Sequence, residues 1–93
     1  MSKQEFGETY PRLSKFLIAW LGDGENPVES IAEFRVNPQE MEERDAIVSE
    51  GYRLLQTGSD AEMEAMRLWA NRRFSDYEEA RSWLSGVLAA LEK

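Results

Sequence analysis

The sequence predicts an all-α fold, a compact bundle of four main helices plus one short helix. Three observations lead there. Apolar residues recur at helical spacing, helix-start signals are dense, and no segment alternates apolar and polar residues as a half-buried strand does. With 93 residues, the chain is read as a single domain spanning 1–93. Apolar residues make up 42% and ten residues are aromatic (three Trp, three Tyr, four Phe), which favours a packed core over disorder.

The elements follow in order. Residues 1–9 are expected to fray. Ser2-Lys3-Gln4-Glu5 allows one helical turn, but Gly7 and Pro11 limit it. Pro11 after Tyr10 marks a helix start without a capping box. Leu13, Phe16, Leu17, Trp20 and Leu21 then form a helical stripe that ends at Gly22-Asp23-Gly24. Asn26-Pro27-Val28-Glu29 opens the short second helix, lined by Val28, Ile31 and Ala32. It places Asn at the N-cap, Pro at the first helical position and Glu at the third, where cap and Glu satisfy each other's backbone N–H groups. Asn37-Pro38-Gln39-Glu40 repeats the box and opens a third helix, lined by Ile47, Val48, Gly51, Leu54 and Leu55 and closed by Thr57-Gly58. Ser59-Asp60-Ala61-Glu62 opens a fourth, lined by Met63, Met66, Trp69 and Ala70. Ser75-Asp76-Tyr77-Glu78 opens the last, lined by Tyr77, Ala80, Leu84, Val87, Leu88 and Leu91.

Composition narrows the function. The chain has no cysteine and no histidine. The first absence removes disulfide frameworks, thiolate metal sites and cysteine nucleophiles. The second removes the side chain that most often moves protons near neutral pH. The expectation is therefore a protein that is not an enzyme, with no catalytic, cofactor or metal residues. The net charge of −7 opposes nucleic-acid phosphates and anionic lipid, so a basic protein is the natural partner. Phe16-Leu17-Ile18-Ala19-Trp20-Leu21 is too short to cross a bilayer, and Met1-Ser2-Lys3-Gln4-Glu5 lacks a secretory apolar stretch. The expected location is cytoplasmic, and the expected state a monomer.

Charge is uneven. Between Asp23 and Glu64 there are twelve acids and three arginines (Arg35, Arg44, Arg53), a net −9, while the remaining residues carry +2. Acids at helix starts complement the macrodipole, and capping is the preferred reading for Glu29, Glu40, Glu62 and Glu78. Glu42, Glu43 and Asp45, expected in the first turns of the third helix, have no capping duty and are candidates for partner contact. In Gly22-Asp23-Gly24-Glu25-Asn26 the spacing of a calcium loop is incomplete. A helix stop followed by an N-cap explains it, leaving Asp23 and Glu25 to join the negative patch. Arg67, Arg72, Arg73 and Arg81 form the only basic cluster, with Arg72 and Arg73 read into the last turn of the fourth helix. Trp20 and Trp69 fall on apolar stripes and are read as core, Trp83 as a border residue. Tyr52, beside Gly51 on the acidic helix, is either a core-edge residue or an interface anchor. The candidate partner-binding residues are thus Asp23, Glu25, Glu42, Glu43, Asp45 and Tyr52.

Tyr10-Pro11-Arg12-Leu13, Phe16-Leu17, Trp20-Leu21, Val28-Glu29-Ser30-Ile31 and late Trp83-Leu84 before a short apolar helix resemble the CdiI-type immunity proteins of contact-dependent growth inhibition systems in Gram-negative bacteria. The resemblance runs from about Tyr10 to Leu91. It implies a small cytosolic protein that binds and neutralises the CdiA C-terminal toxin domain, often a nuclease, of its own large adhesin-like partner. The loop Gly22-Asp23-Gly24-Glu25 is shorter than in that pattern, and the turn before the last helix reads Arg72-Arg73-Phe74-Ser75 without the usual Gly. The alternative from the residues alone is an acidic helical adaptor or anti-activator of a basic protein.

Overall fold

Six helices form among the residues that the computed structural model describes, 2–21, 27–36 and 43–92, with backbone alone for 27 and 28. They are α1 (Lys3–Thr9), α2 (Pro11–Trp20), α3 (Pro27–Val36), α4 (Arg44–Thr57), α5 (Asp60–Ala70) and α6 (Tyr77–Glu92). No strand occurs among the described residues. The all-α expectation holds, but four main helices plus one short helix does not match the observed six. The helix stop at Gly22-Asp23-Gly24, the cap at Asn26 and the box Asn37-Pro38-Gln39-Glu40 lie outside the described residues.

The added element is α1, where fraying was expected. Ser2 caps it, accepting from the Glu5 N–H at 3.1 Å, and the Ser2 hydroxyl donates to the Glu5 carboxylate at 3.3 Å. Phe6 is fully buried and packs on buried Tyr10 at 4.9 Å between ring centroids. The Trp69 indole donates to the Lys3 carbonyl at 2.8 Å, and Arg53 donates to the Thr9 carbonyl at 2.6 Å. Gly7 is what lets the segment lie this close. A Cβ there would stand 2.8 Å from the Trp69 ring. The glycine expected to limit the helix instead docks it.

Pro11 begins α2 as expected, and Tyr10 before it supplies no side-chain cap. The orphan donors are satisfied from another helix: one oxygen of Glu50 on α4 accepts from the Arg12 N–H at 3.0 Å and the Leu13 N–H at 2.9 Å. On α3 the buried pair is Ile31 and Phe34, three residues apart, and Ala32 is exposed. Phe34 meets Phe16 at 4.9 Å and the edge of half-buried Trp20 at 5.5 Å. At α5, Ser59 accepts from the Glu62 N–H at 3.3 Å. The Glu62 carboxylate, expected to complete that box, instead accepts from the Tyr10 hydroxyl at 3.2 Å. Asn71, left-handed at φ 54°, ends α5, so Arg72 and Arg73 lie beyond the helix rather than in its last turn. The box before α6 is shifted by one residue: Asp76 accepts from the Glu79 N–H at 2.8 Å and Glu79 accepts from the Ser75 N–H at 3.0 Å.

Packing places α4 and α5 between α2 and α6, with α1 against α2 and α5 and α3 bridging α2 and α6. The radius of gyration, 12.0 Å, matches the roughly 12 Å of a compact chain this long. Leu13, Leu17, Leu21, Ile47, Leu54, Met63, Met66, Leu84, Leu88 and Leu91 fill one continuous core. Trp20 and Trp69, read as core, pack at its edge half-buried, and Trp83 is a border residue stacked near Phe74.

Two glycines test how tightly this packing is drawn. A Cβ on Gly51 would meet both methyls of buried Leu88, at 2.5 and 2.7 Å, whereas one on Gly86 meets nothing within 4 Å. Gly86→Ala should raise stability by about 0.5–1 kcal/mol through helix propensity alone. Gly51→Ala gains the same propensity but overpacks the α4–α6 contact, and should lower stability by about 1–2 kcal/mol. Urea denaturation of the two variants should shift the midpoint in opposite directions. Shifts of the same sign would mean that α4 and α6 do not approach so closely.

Candidate partner-binding surface

Carboxylates matter to a partner only if the fold leaves them unspent. Asp23, Glu25 and Glu42 lie outside the described residues. Glu43 precedes the first turn of α4, where its carboxylate receives the Arg12 guanidinium at 3.1 Å and is only 33% exposed. Asp45, in the first turn, is 94% exposed and pairs with its neighbour Arg44 at 3.7 Å, the longest of the ion pairs among the described residues, which leaves most of its carboxylate surface to solvent. Tyr52, two turns along the same face of α4, packs its ring against the core and donates its hydroxyl to Glu92 of α6 at 3.0 Å. Glu43 and Tyr52 are therefore tied into the protein, and Asp45 is open.

The same division runs through the acidic segment. Glu50 caps α2, Glu62 holds Tyr10, Asp60 pairs with Arg81 at 3.3 Å, and Glu64 takes the Arg67 guanidinium side-on, both oxygens 3.1 Å from Nε. Arg67 holds the Glu64 carboxyl below its usual range by this hydrogen bond, and is itself raised by it. Among the described residues of the segment, the open acids besides Asp45 are Glu29 and Glu33, exposed one turn apart on α3. The capping role expected of Glu29 involves Asn26, which lies outside the described residues. The pattern that finds both acids is the outer stripe of α3, Glu29, Ala32, Glu33 and Val36 at i, i+3, i+4 and i+7, all exposed.

Pairing changes contacts more than field. Arg12, Arg67 and Arg81, all from outside the 23–64 segment, bring its −9 down by three to −6. The long-range potential of the whole chain still corresponds to −7, and it is this potential that steers a charged partner. Exposed ion pairs of this kind contribute about 0–1 kcal/mol each. Their cations are already taken, so such acids make poorer contacts than Asp45, Glu29 or Glu33.

Tyr10 joins this network from below. Burial, then the Glu62 charge and hydrogen bond, raise its phenol above the ordinary 10.0, against the lowering effect of Arg53, which lies 4.8 Å from the ring. The neutral phenol is thus favoured in the fold, and that stability is fully present below pH 10.0 and lost as pH rises through the raised value. Urea midpoints measured stepwise above pH 10 should fall, and fall less in Tyr10→Phe. Equal slopes would mean that Tyr10 takes no part.

A second surface lies away from the acidic segment. Between α1, α2 and α5 runs an open groove of about 710 Å³ with Gly7, Pro11, Ile18 and Trp69 in its lining and Lys3 and Lys15 among its charged residues. Ile18 is 50% exposed, since it falls off the Leu13–Leu21 stripe. That mismatch is its only sign in the sequence.

The chain matches no family model, no curated protein and no solved structure. Among the described residues no helix is long and apolar enough to cross a membrane.

Proposed function

We propose that this chain is an immunity protein of the contact-dependent growth inhibition type. It binds the C-terminal toxin domain of its own CdiA partner in the cytoplasm and neutralises it one-to-one, without chemistry of its own. The observation that carries this reading is the set of open carboxylates Glu29, Glu33 and Asp45, on a surface whose other described acids in the segment are engaged internally. A toxin that handles RNA or DNA presents a basic cleft to phosphates. Unspent carboxylates on short, rigid helices can fill that role, and net charge draws the toxin in.

The resemblance adds support of a particular kind. Of the residues that carry it, Tyr10, Leu13, Phe16, Leu17, Leu21, Ile31 and Leu84 are buried, Trp20, Ser30 and Trp83 are half-buried, and Pro11, Arg12 and Glu29 are exposed. Most of what it describes is a scaffold, on which exposed residues can vary to suit a particular toxin. The deciding experiment is co-expression with the toxin tail of the adhesin-like protein encoded beside this chain. Growth should be restored by this protein and by no unrelated acidic helical protein of equal charge. Cells that die as fast with it as without it would end the immunity reading.

A further inference from the structure

The groove between α1, α2 and α5 has no part in the reading above. Lys3, Lys15 and Glu8 give its rim a local excess of one positive charge in a chain of net −7, and the Lys3 ammonium stands 5.0 Å from the centroid of the Trp69 ring. Such a surface suits a helix that offers an aliphatic side chain and carboxylates one turn apart. The outer face of α3 is such a helix: Glu29 and Glu33 beside Ala32 and Val36, the last 81% exposed.

We infer that a second copy of this chain occupies the groove, the α3 of each protomer lying against its partner's Ile18 and Trp69, with Glu29 and Glu33 facing Lys3 and Lys15. A two-fold dimer uses this complementarity twice. A standard interface takes about 800 Å² from each chain, a modest share of the 5457 Å² each one exposes. It covers Ile18 and Val36, two of the four large apolar side chains left exposed among the described residues. The inference goes against the expected monomer and does not depend on the toxin. Because Glu29 and Glu33 serve both contacts, self-association and capture of a basic partner exclude each other.

Sedimentation equilibrium of the full chain, up to about 1 mM, tests it. The expected mass at high concentration is twice 10.7 kDa. Lys3→Glu with Lys15→Glu, and separately Glu29→Lys with Glu33→Lys, should each weaken dimerisation at least about tenfold. An equimolar mixture of the two variants should restore it, since each groove then meets an α3 of opposite charge. Circular dichroism confirms folding, and Glu33→Lys alone replaces the α3 double variant if that fails to fold. A monomer throughout, a dimer indifferent to both reversals, or a mixture that stays dissociated would each overturn the inference.

Discussion

Phe6→Ala should lower the free energy of unfolding by about 3–5 kcal/mol, the usual cost of emptying a buried aromatic site. Small domains have about 5–15 kcal/mol in all, so the variant should be marginal at room temperature. The physical reason is that α1 is not an appendage. Phe6 is completely shielded and packs on Tyr10, whose hydroxyl is bound by Glu62 and whose ring lies under Arg53. Removing the Phe6 ring leaves a cavity beside Tyr10 and weakens the seat on which Trp69 and Arg53 bind the α1 backbone. Urea denaturation followed by tryptophan fluorescence measures the loss. A change under about 0.5 kcal/mol, the range of ordinary surface substitutions, would mean that α1 is detached in solution.

Reversing the open carboxylates should give the largest effect on binding. Glu29→Lys, Glu33→Lys and Asp45→Lys together move the net charge by six, from −7 to −1. The association rate with the toxin domain should fall by about tenfold or more at low salt, because steering follows the net field and these three acids are unspent. Stability should change by under about 1 kcal/mol, most of it from cations placed at the starts of α3 and α4. Glu43→Lys makes the contrasting control. It sets a lysine against Arg12, so its effect should appear in stability. Stopped-flow mixing separates the two. An unchanged association rate in the triple variant would place the contact on another surface.

Helices were legible where local chemistry and tertiary packing agree. The Leu13–Leu21 stripe, the Ser59 cap and the Leu84–Leu91 stripe reappear as α2, the α5 start and α6. Readings failed where a distant residue decides. Gly7 looked like a breaker because Trp69, 62 positions away, is invisible to local spacing. Spacing makes Glu62 a cap of its own helix and Glu50 one more acid of the segment, although each completes a contact on another helix. Ser75 and Asp76 are both good caps, and one residue of register separated the reading from the fold. The candidate surface was legible in sign but not in detail. Sequence counts charges and its spacing permits the Glu64–Arg67 pair within α5, whereas only the fold shows that Arg12 and Arg81 cross over to spend others.

The dissociation constant of the complex with the toxin domain, measured by calorimetry across a range of salt concentrations, bears most directly on capture by unspent carboxylates. Binding should weaken steadily as salt rises, since screening shortens the reach of the field to about 10 Å at 0.1 M and 3 Å at 1 M, and the triple lysine variant should show a flatter dependence. A dissociation constant that stays level with salt in both proteins would contradict it and assign the interface to apolar contacts.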